Sequence, residues 1–273
     1  MRFSPAFVVA CVGAALVAAP AQAPQTRPTA SVQIGAAIVP AALTVVPAAA
    51  AAPLAGRTIV IDPGHQLGNS RFPRKINRQV NAGGLRKACN TTGTATASGY
   101  PEATFTWRVA VRLRSQLEAL GATVVMTRSR NSRRLWGPCV DVRGKLGNAG
   151  YRGRERAADL KISIHGDGAT RSGRGFHVIT TKRRGAVVRS ARFGREVRAA
   201  LEQRGFHRST YTAGGRGLVR RGDLGTLNLS RIPTVMVELG NMRNRRDART
   251  MRSAAGQRRY ARALMTAAVE HLR

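Results

Sequence analysis

Aromatic residues make up only 5% of this 273-residue chain. They leave few platforms on which nucleic-acid bases could stack. Acidic residues are equally scarce: 13 Asp and Glu face 46 Lys and Arg, a formal net charge of +33. Lysine is rare too, with five against 41 arginines. Arg and Ala drift of a GC-rich genome accounts for part of this bias. A surface so basic also suits polyanions. Cysteine is limited to Cys11, Cys89 and Cys139. The last two lack the close pairing of a structural zinc site. The N-terminal apolar run, Ala6–Ala18, is short of the ~20 residues that a bilayer span needs, and Pro20 breaks it. No internal repeat and no compact HExxH spacing is present.

What the N-terminus does contain is the pattern of an export signal. Arg2 gives a positive start, the Ala6–Ala18 run follows, and Ala21-Gln22-Ala23 is a small-x-small cleavage site. Residues 1–23 are therefore expected to be a signal peptide, with no stable transmembrane segment left after cleavage. A lipid-modified Cys11 is the weaker alternative. Export argues against nucleic acid as the partner and for anionic cell-wall polymers or lipid heads. Residues 24–56 carry Ala, Pro, Thr and Val with Arg27 as the only charge. That composition is expected to be a disordered or extended linker. The folded domain is expected over 57–273. An even pair, Cys89 and Cys139, suggests one disulfide in an exported chain. Two free thiols are the alternative.

Short apolar runs alternate with helical spacing from Arg57 onward. Strands are expected at Thr58–Asp62, Ala122–Thr127, Leu160–His165, Gly175–Thr181 and Thr234–Glu238. Helices are expected at Glu102–Leu120, Val142–Ala158, Ala186–Arg204 and Ser253–Leu272, with Ser253 as an N-cap. Continuous apolar strands alternating with helices predict an α/β fold: one domain, a mostly parallel sheet, helices on both faces.

Ionisable groups end several of these strands. His65 follows the first, His165 ends the Leu160 strand and Glu238 ends the Thr234 strand. Glu102 stands in the first turn of a helix. In open α/β sheets, ligands bind at the C-terminal ends of the strands. Two His and one carboxylate form a familiar catalytic zinc set with a position left for water, and a further carboxylate can act as general base. Each residue also has a plain structural reading, in a turn, a cap or an ion pair. His177, His207 and His271 are read as structural or solvated, Trp107 and Trp136 as core or loop anchors. Asn244 and Asp247 are expected to shape the turn after the last strand. The long Gly-rich stretch Gln66–Gly99 adjoins two of the candidate ligands and is a candidate flap over the groove.

Five motifs together carry a resemblance: IDPGH at Ile61–His65, the Glu of GYPEATFTW at Glu102, VVMTR at Val124–Arg128, RERAADLKISIHGDG ending at Gly168, and PTVMVELGNMRNRRD at Pro233–Asp247. In this order they resemble the zinc-dependent N-acetylmuramoyl-L-alanine amidases with an AmiC-like catalytic domain, and most of all the compact actinobacterial and mycobacterial peptidoglycan amidases. The resemblance implies one Zn2+ held by His65, Glu102 and His165, with Glu238 as catalytic acid/base. It implies a six-stranded central sheet, a peptidoglycan or muropeptide substrate, and a secreted, periplasmic or wall location. The family often has His-Ala-Asn where this chain has His165-Gly166-Asp167, and Glu-x-Gly-Phe where it has Glu238-Leu239-Gly240-Asn241. Those departures bear on the groove and leave the implied ligands intact. Two other functions fit the residues: a zinc peptidase cutting within the stem peptide, and a non-catalytic peptidoglycan-binding protein.

Overall fold

The structure, a computed structural model, describes residues 52–183 and 187–273. The expected signal peptide and almost all of the expected linker lie outside the described residues. The end of that linker does not behave as a tether: Leu54 is fully buried in the main core, and its N–H donates to Leu120 O at 2.9 Å. The packed body therefore begins before Arg57, because one leucine in an otherwise small-residue segment finds an apolar seat.

β1 (Thr58–Pro63) is a run of β-branched residues that ends where Pro63 cannot extend the ladder. A small two-stranded hairpin follows a one-turn helix, α1 (Pro73–Asn77); its strands are β2 (Gln79–Asn81) and β3 (Arg86–Ala88). Next come α2 (Glu102–Glu118), β4 (Thr123–Met126), α3 (Val140–Lys145) and β5 (Leu160–Asp167). The chain continues through β6 (His177–Thr181), α4 (Val187–Gln203), β7 (Leu218–Arg221) and α5 (Gly225–Asn228). β8 (Thr234–Asn241), α6 (Arg245–Arg252) and α7 (Ala254–Leu272) complete it. Ser253 caps α7 as expected, accepting from Gly256 N.

Six strands form the central sheet in the order β4-β1-β5-β8-β6-β7. β4, β1, β5 and β8 run parallel, β6 is antiparallel to β8, and β7 is parallel to β6. From β1 the chain crosses to β4 on one side and then returns to β5 on the other. The crevice at the C-terminal ends of β1 and β5 is therefore a topological switch point.

The two faces of the sheet differ. Ile59, Ile61, Ile162 and Ile164 pack into the main core with Phe105, Leu113, Phe193, Leu201, Tyr260 and Leu264 from α2, α4 and α7. Each such buried side chain contributes roughly 1.5–3 kcal/mol. The opposite face has only small apolar clusters, such as Ile179 with Leu227 and Met236. There Lys161 and Ser163 are fully buried. With a period of two along β5, His165 shares that face.

One expected helix is wrong. Val142–Ala158 holds only the short α3, because Gly147 and Gly150 adopt positive φ and break the helical turn. The short helix is nevertheless anchored: Lys161 Nζ donates to the carbonyls of Arg143 (2.9 Å) and Gly144 (2.7 Å) at its C-terminal end. β7, the hairpin and α6 go beyond the sequence expectations. Asn244 shapes the turn after β8 by capping α6, its side chain accepting from Arg246 N and Asp247 N.

Candidate active site

The loop Asp62–His65 is held from below by buried charge. Asp62 accepts from Ser163 Oγ (2.7 Å) and Thr127 Oγ1 (2.6 Å) and pairs with Arg143. Burial alone would raise the Asp62 carboxyl, but Arg143 and the two hydroxyls hold it well below the usual carboxylate range. Arg143 also donates to Pro63 O and to His65 O, both at 2.8 Å. Arg128 donates to Ala103 O at 2.8 Å and to Pro63 O at 3.1 Å, tying the start of α2 to the same turn.

That platform presents His65 with φ +58°, a left-handed conformation uncommon outside glycine. Its Nδ1 lies 3.0 Å from Thr91 O, a carbonyl that can only accept. A proton on Nδ1 bonds that carbonyl, and Nε2 faces inward towards Glu102. Gly64 beside it leaves room for the second imidazole: a Cβ there would lie 2.4 Å from His165 Cε1. The two rings meet edge to face at 5.0 Å.

Glu102, first residue of α2, reaches between them. Its Oε1 is 3.1 Å from His65 Nε2 and 3.0 Å from His165 Nδ1. It also accepts from Gly166 N at 3.1 Å, while Oε2 accepts from Thr94 N at 2.9 Å. Burial pushes its carboxyl up, yet the two imidazoles and their hydrogen bonds override this and hold it low. The ligand atoms of His65, Glu102 and His165 all lie within 4.8 Å of one another. Two imidazole nitrogens and one carboxylate oxygen, oriented by Thr91, Gly166 and Thr94, fit a small divalent cation with one position left open.

Glu238 faces His165 across the β5–β8 ladder, where a register shift follows between His165 and Asp167. Such bulges commonly re-aim side chains beside active sites. Glu238 Oε2 is buried and has no hydrogen-bond partner among the described residues. Burial, then the nearby Glu102 and Asp167 charges, push its carboxyl well above the ordinary range, opposed by Arg221. All four candidate residues line one cavity of about 360 Å³, along with Asp167, Arg221 and Lys87.

The amino-acid sequence between Ile59 and Glu270 decides the family. Residues 59–270 match the Amidase_3 family, N-acetylmuramoyl-L-alanine amidase. The chain belongs to the N-acetylmuramoyl-L-alanine amidases. It is 40% identical over 234 residues to N-acetylmuramoyl-L-alanine amidase Rv3717 of Mycobacterium tuberculosis, covering 84% of this chain and 92% of that protein. The amidase Ami1 of Mycobacterium smegmatis superposes with a TM-score of 0.73 at 38% identity, over 80% of this chain and 98% of the other. Ami1 of Mycobacterium abscessus, solved in its apo form, also gives 0.73 at 40% identity, over 80% and 100%. Like these relatives, this amidase has its six-stranded, mostly parallel sheet in a single α/β domain.

Cys89 and Cys139 are joined by a disulfide that spans 50 residues. It lies among Val80, Trp136 and Val140, next to the stretch that supplies Thr91 and Thr94. Gln66–Gly99 is a wall of the amidase cavity, contributing Lys87, Asn90, Thr91, Gly93 and Thr94. The sequence reading missed Asp62, Arg143 and Lys161. Their only signal was polar character inside otherwise apolar strands or a short helix.

Proposed function

We propose that the protein hydrolyses the amide between N-acetylmuramic acid and the L-alanine of the peptidoglycan stem peptide, with one zinc ion held by His65, Glu102 and His165 and with Glu238 as general acid/base. Family membership supports the reaction. The observation that carries the assignment of roles is a three-donor cluster within 4.8 Å beside a fourth carboxylate that has a buried, unpartnered oxygen.

A zinc ion at this cluster supplies Lewis acidity to the scissile carbonyl and acidifies water. His65, with its proton fixed on Nδ1 by Thr91, offers Nε2 as a donor atom. Glu102 offers Oε1, and Thr94 N fixes the tilt of its carboxylate through Oε2. Glu238 takes the proton of the attacking water and delivers it to the departing alanine nitrogen. The C–N bond breaks, the muramic acid leaves with a free carboxylate, and the peptide leaves with a free amine. A carboxyl whose proton affinity is raised above that of free Glu suits this double role, since it must gain and lose a proton within one turnover.

Among the described residues no helix is long and apolar enough to cross a membrane. A peptidoglycan substrate supports a location outside the cytoplasm, as the signal peptide expected over residues 1–23 would require.

The test separates the roles. Glu238→Gln should bind zinc at the wild-type ratio while losing activity by roughly 10²–10⁴-fold, the usual contribution of a positioned acid/base. His65→Ala should lose zinc and activity together. Wild-type turnover by E238Q on soluble muropeptide would remove Glu238 from the mechanism.

A further inference from the structure

Beyond the catalytic cavity, the most unusual feature of the surface is a continuous field of arginine. Three hollows, of about 380, 540 and 740 Å³, adjoin one another and share Arg243 and Ala97. Their walls carry Arg171, Arg174, Arg243, Arg245, Arg246, Arg249 and Arg252 and no lysine. Among the described residues, none of these seven side chains forms an ion pair or donates a hydrogen bond. On α6, Arg245, Arg249 and Arg252 follow the i, i+4, i+7 spacing of one helix face, where like charges repel and cost helix stability. The only acid on α6, Asp247, forms no ion pair with them among the described residues. Its Oδ2 is used by Gly175 N (2.7 Å) and Asn241 N (2.9 Å).

The two stretches that carry these arginines, 171–174 and 243–252, are locked to one another. Asn241 donates to Thr170 O and Gly173 O, each at 2.7 Å. Asn244 donates to Arg171 O at 3.0 Å. The charged surface is thus preorganised, and Asn241, where the family often has Phe, is one of the locks.

The field also has a direction. Ala95–Ala97 and Ala169–Arg171 line the 380 Å³ hollow, and these stretches directly continue Gly93–Thr94 and Gly166–Gly168, which line the catalytic cavity. A chain lying along the hollows leads to the catalytic cleft.

We propose that this surface binds a polyphosphodiester, an extended anionic polymer of the kind carried on a cell wall, and that it docks the enzyme beside the glycan it cuts. Seven unpaired guanidinium groups over three hollows exceed the charge that a short stem peptide presents. They match a polymer with a phosphate in every repeat, and each planar fork can take two phosphate oxygens.

Inorganic polyphosphate serves as the probe, with poly-L-glutamate as the carboxylate counterpart. Binding to the full-length protein is followed by titration at several salt concentrations. Arg243→Gln/Arg245→Gln/Arg249→Gln should weaken polyphosphate affinity at least tenfold and lower the salt slope by roughly 2, on the basis of about 0.7 per phosphate contact. The charge-matched control R156Q/R258Q/R262Q should change affinity less than twofold. If the triple variant does not fold, R245Q/R249Q, exposed on one helix face, carries the same expectation with a smaller loss. Equal weakening by both triples would show only diffuse charge attraction and overturn the proposal. Tighter binding of poly-L-glutamate, lost in the same variant, would also overturn it and make the field a peptide-carboxylate site. Neither outcome bears on the amidase reaction.

Discussion

His65, Glu102 and His165 come from three distant parts of the chain, and their meeting depends on small neighbours. Gly64 leaves the space that the His165 ring occupies, and a Cβ at that position would also lie 2.7 Å from both ring nitrogens. Gly64→Ala should therefore displace His165 and lower zinc affinity by at least tenfold while the sheet stays folded, as read by competitive chelator titration and circular dichroism. Unchanged affinity would mean that the ring moves freely, against the tight placement described here. As candidate ligands, His65 and His165 were legible in the sequence because each is an ionisable residue at the end of an apolar run, and Glu102 because it opens a helix. Asp62, Arg143 and Lys161 were not, because a buried charge is sensible only once its partner is known. Asp62 and Arg143 are 81 residues apart.

His177 shows a residue-scale effect on stability. Burial, opposed by the Asp167 charge, pushes its imidazole down from 6.5 to about 4. The unfolded chain then binds a proton that the fold rejects. Between pH 6.5 and about 4 the unfolded state holds more protons, so stability rises with pH and is lost on acidification, at up to about 1.4 kcal/mol per unit. Urea midpoints measured across this window should fall as the pH is lowered in the wild type and fall less steeply in His177→Gln. Parallel slopes would show that other groups carry the acid sensitivity.

At the scale of elements, the sequence revealed what is periodic and missed what is irregular. β1, β5 and β8 are strongly apolar and were placed correctly, although β5 and β8 each run past the expected end. Their extensions, Gly166-Asp167 and Leu239–Asn241, include the register shift beside the site. β7 is a short edge strand of sequence LVRR, whose charge hides it. The expected Val142–Ala158 helix failed because apolar spacing there was counted without weighing four glycines. The hairpin and the 66–99 stretch contain little apolar material, and the Cys89–Cys139 bridge compensates. On the chain-entropy model, closing a loop of this length contributes roughly 4 kcal/mol. Cys89→Ser/Cys139→Ser should lower unfolding stability by about that amount under oxidising conditions, measured by urea denaturation. A loss under about 1 kcal/mol would show that Val80, Trp136 and Val140 hold the wall without the bridge.

Across the whole molecule, chemistry and charge are segregated. Acids are few, yet Glu102, Asp167 and Glu238 gather at one cavity, and Asp62 lies beneath it. The arginine field lies outside, next to the cleft. The sheet accounts for this division. Its thick face, covered by α2, α4 and α7, carries the apolar core, and its thin face is free to carry polar side chains up to the switch point. The account as a whole rests on metal-dependent cleavage of one particular amide. The most direct measurement is mass spectrometry of the products from a soluble muramyl peptide, digested by chelator-stripped protein and by the same protein after zinc is restored. We predict no cleavage by the stripped protein. Restored protein should release a peptide that begins with L-alanine and leave N-acetylmuramic acid intact. Full turnover without metal, or a cut inside the peptide, would contradict the account.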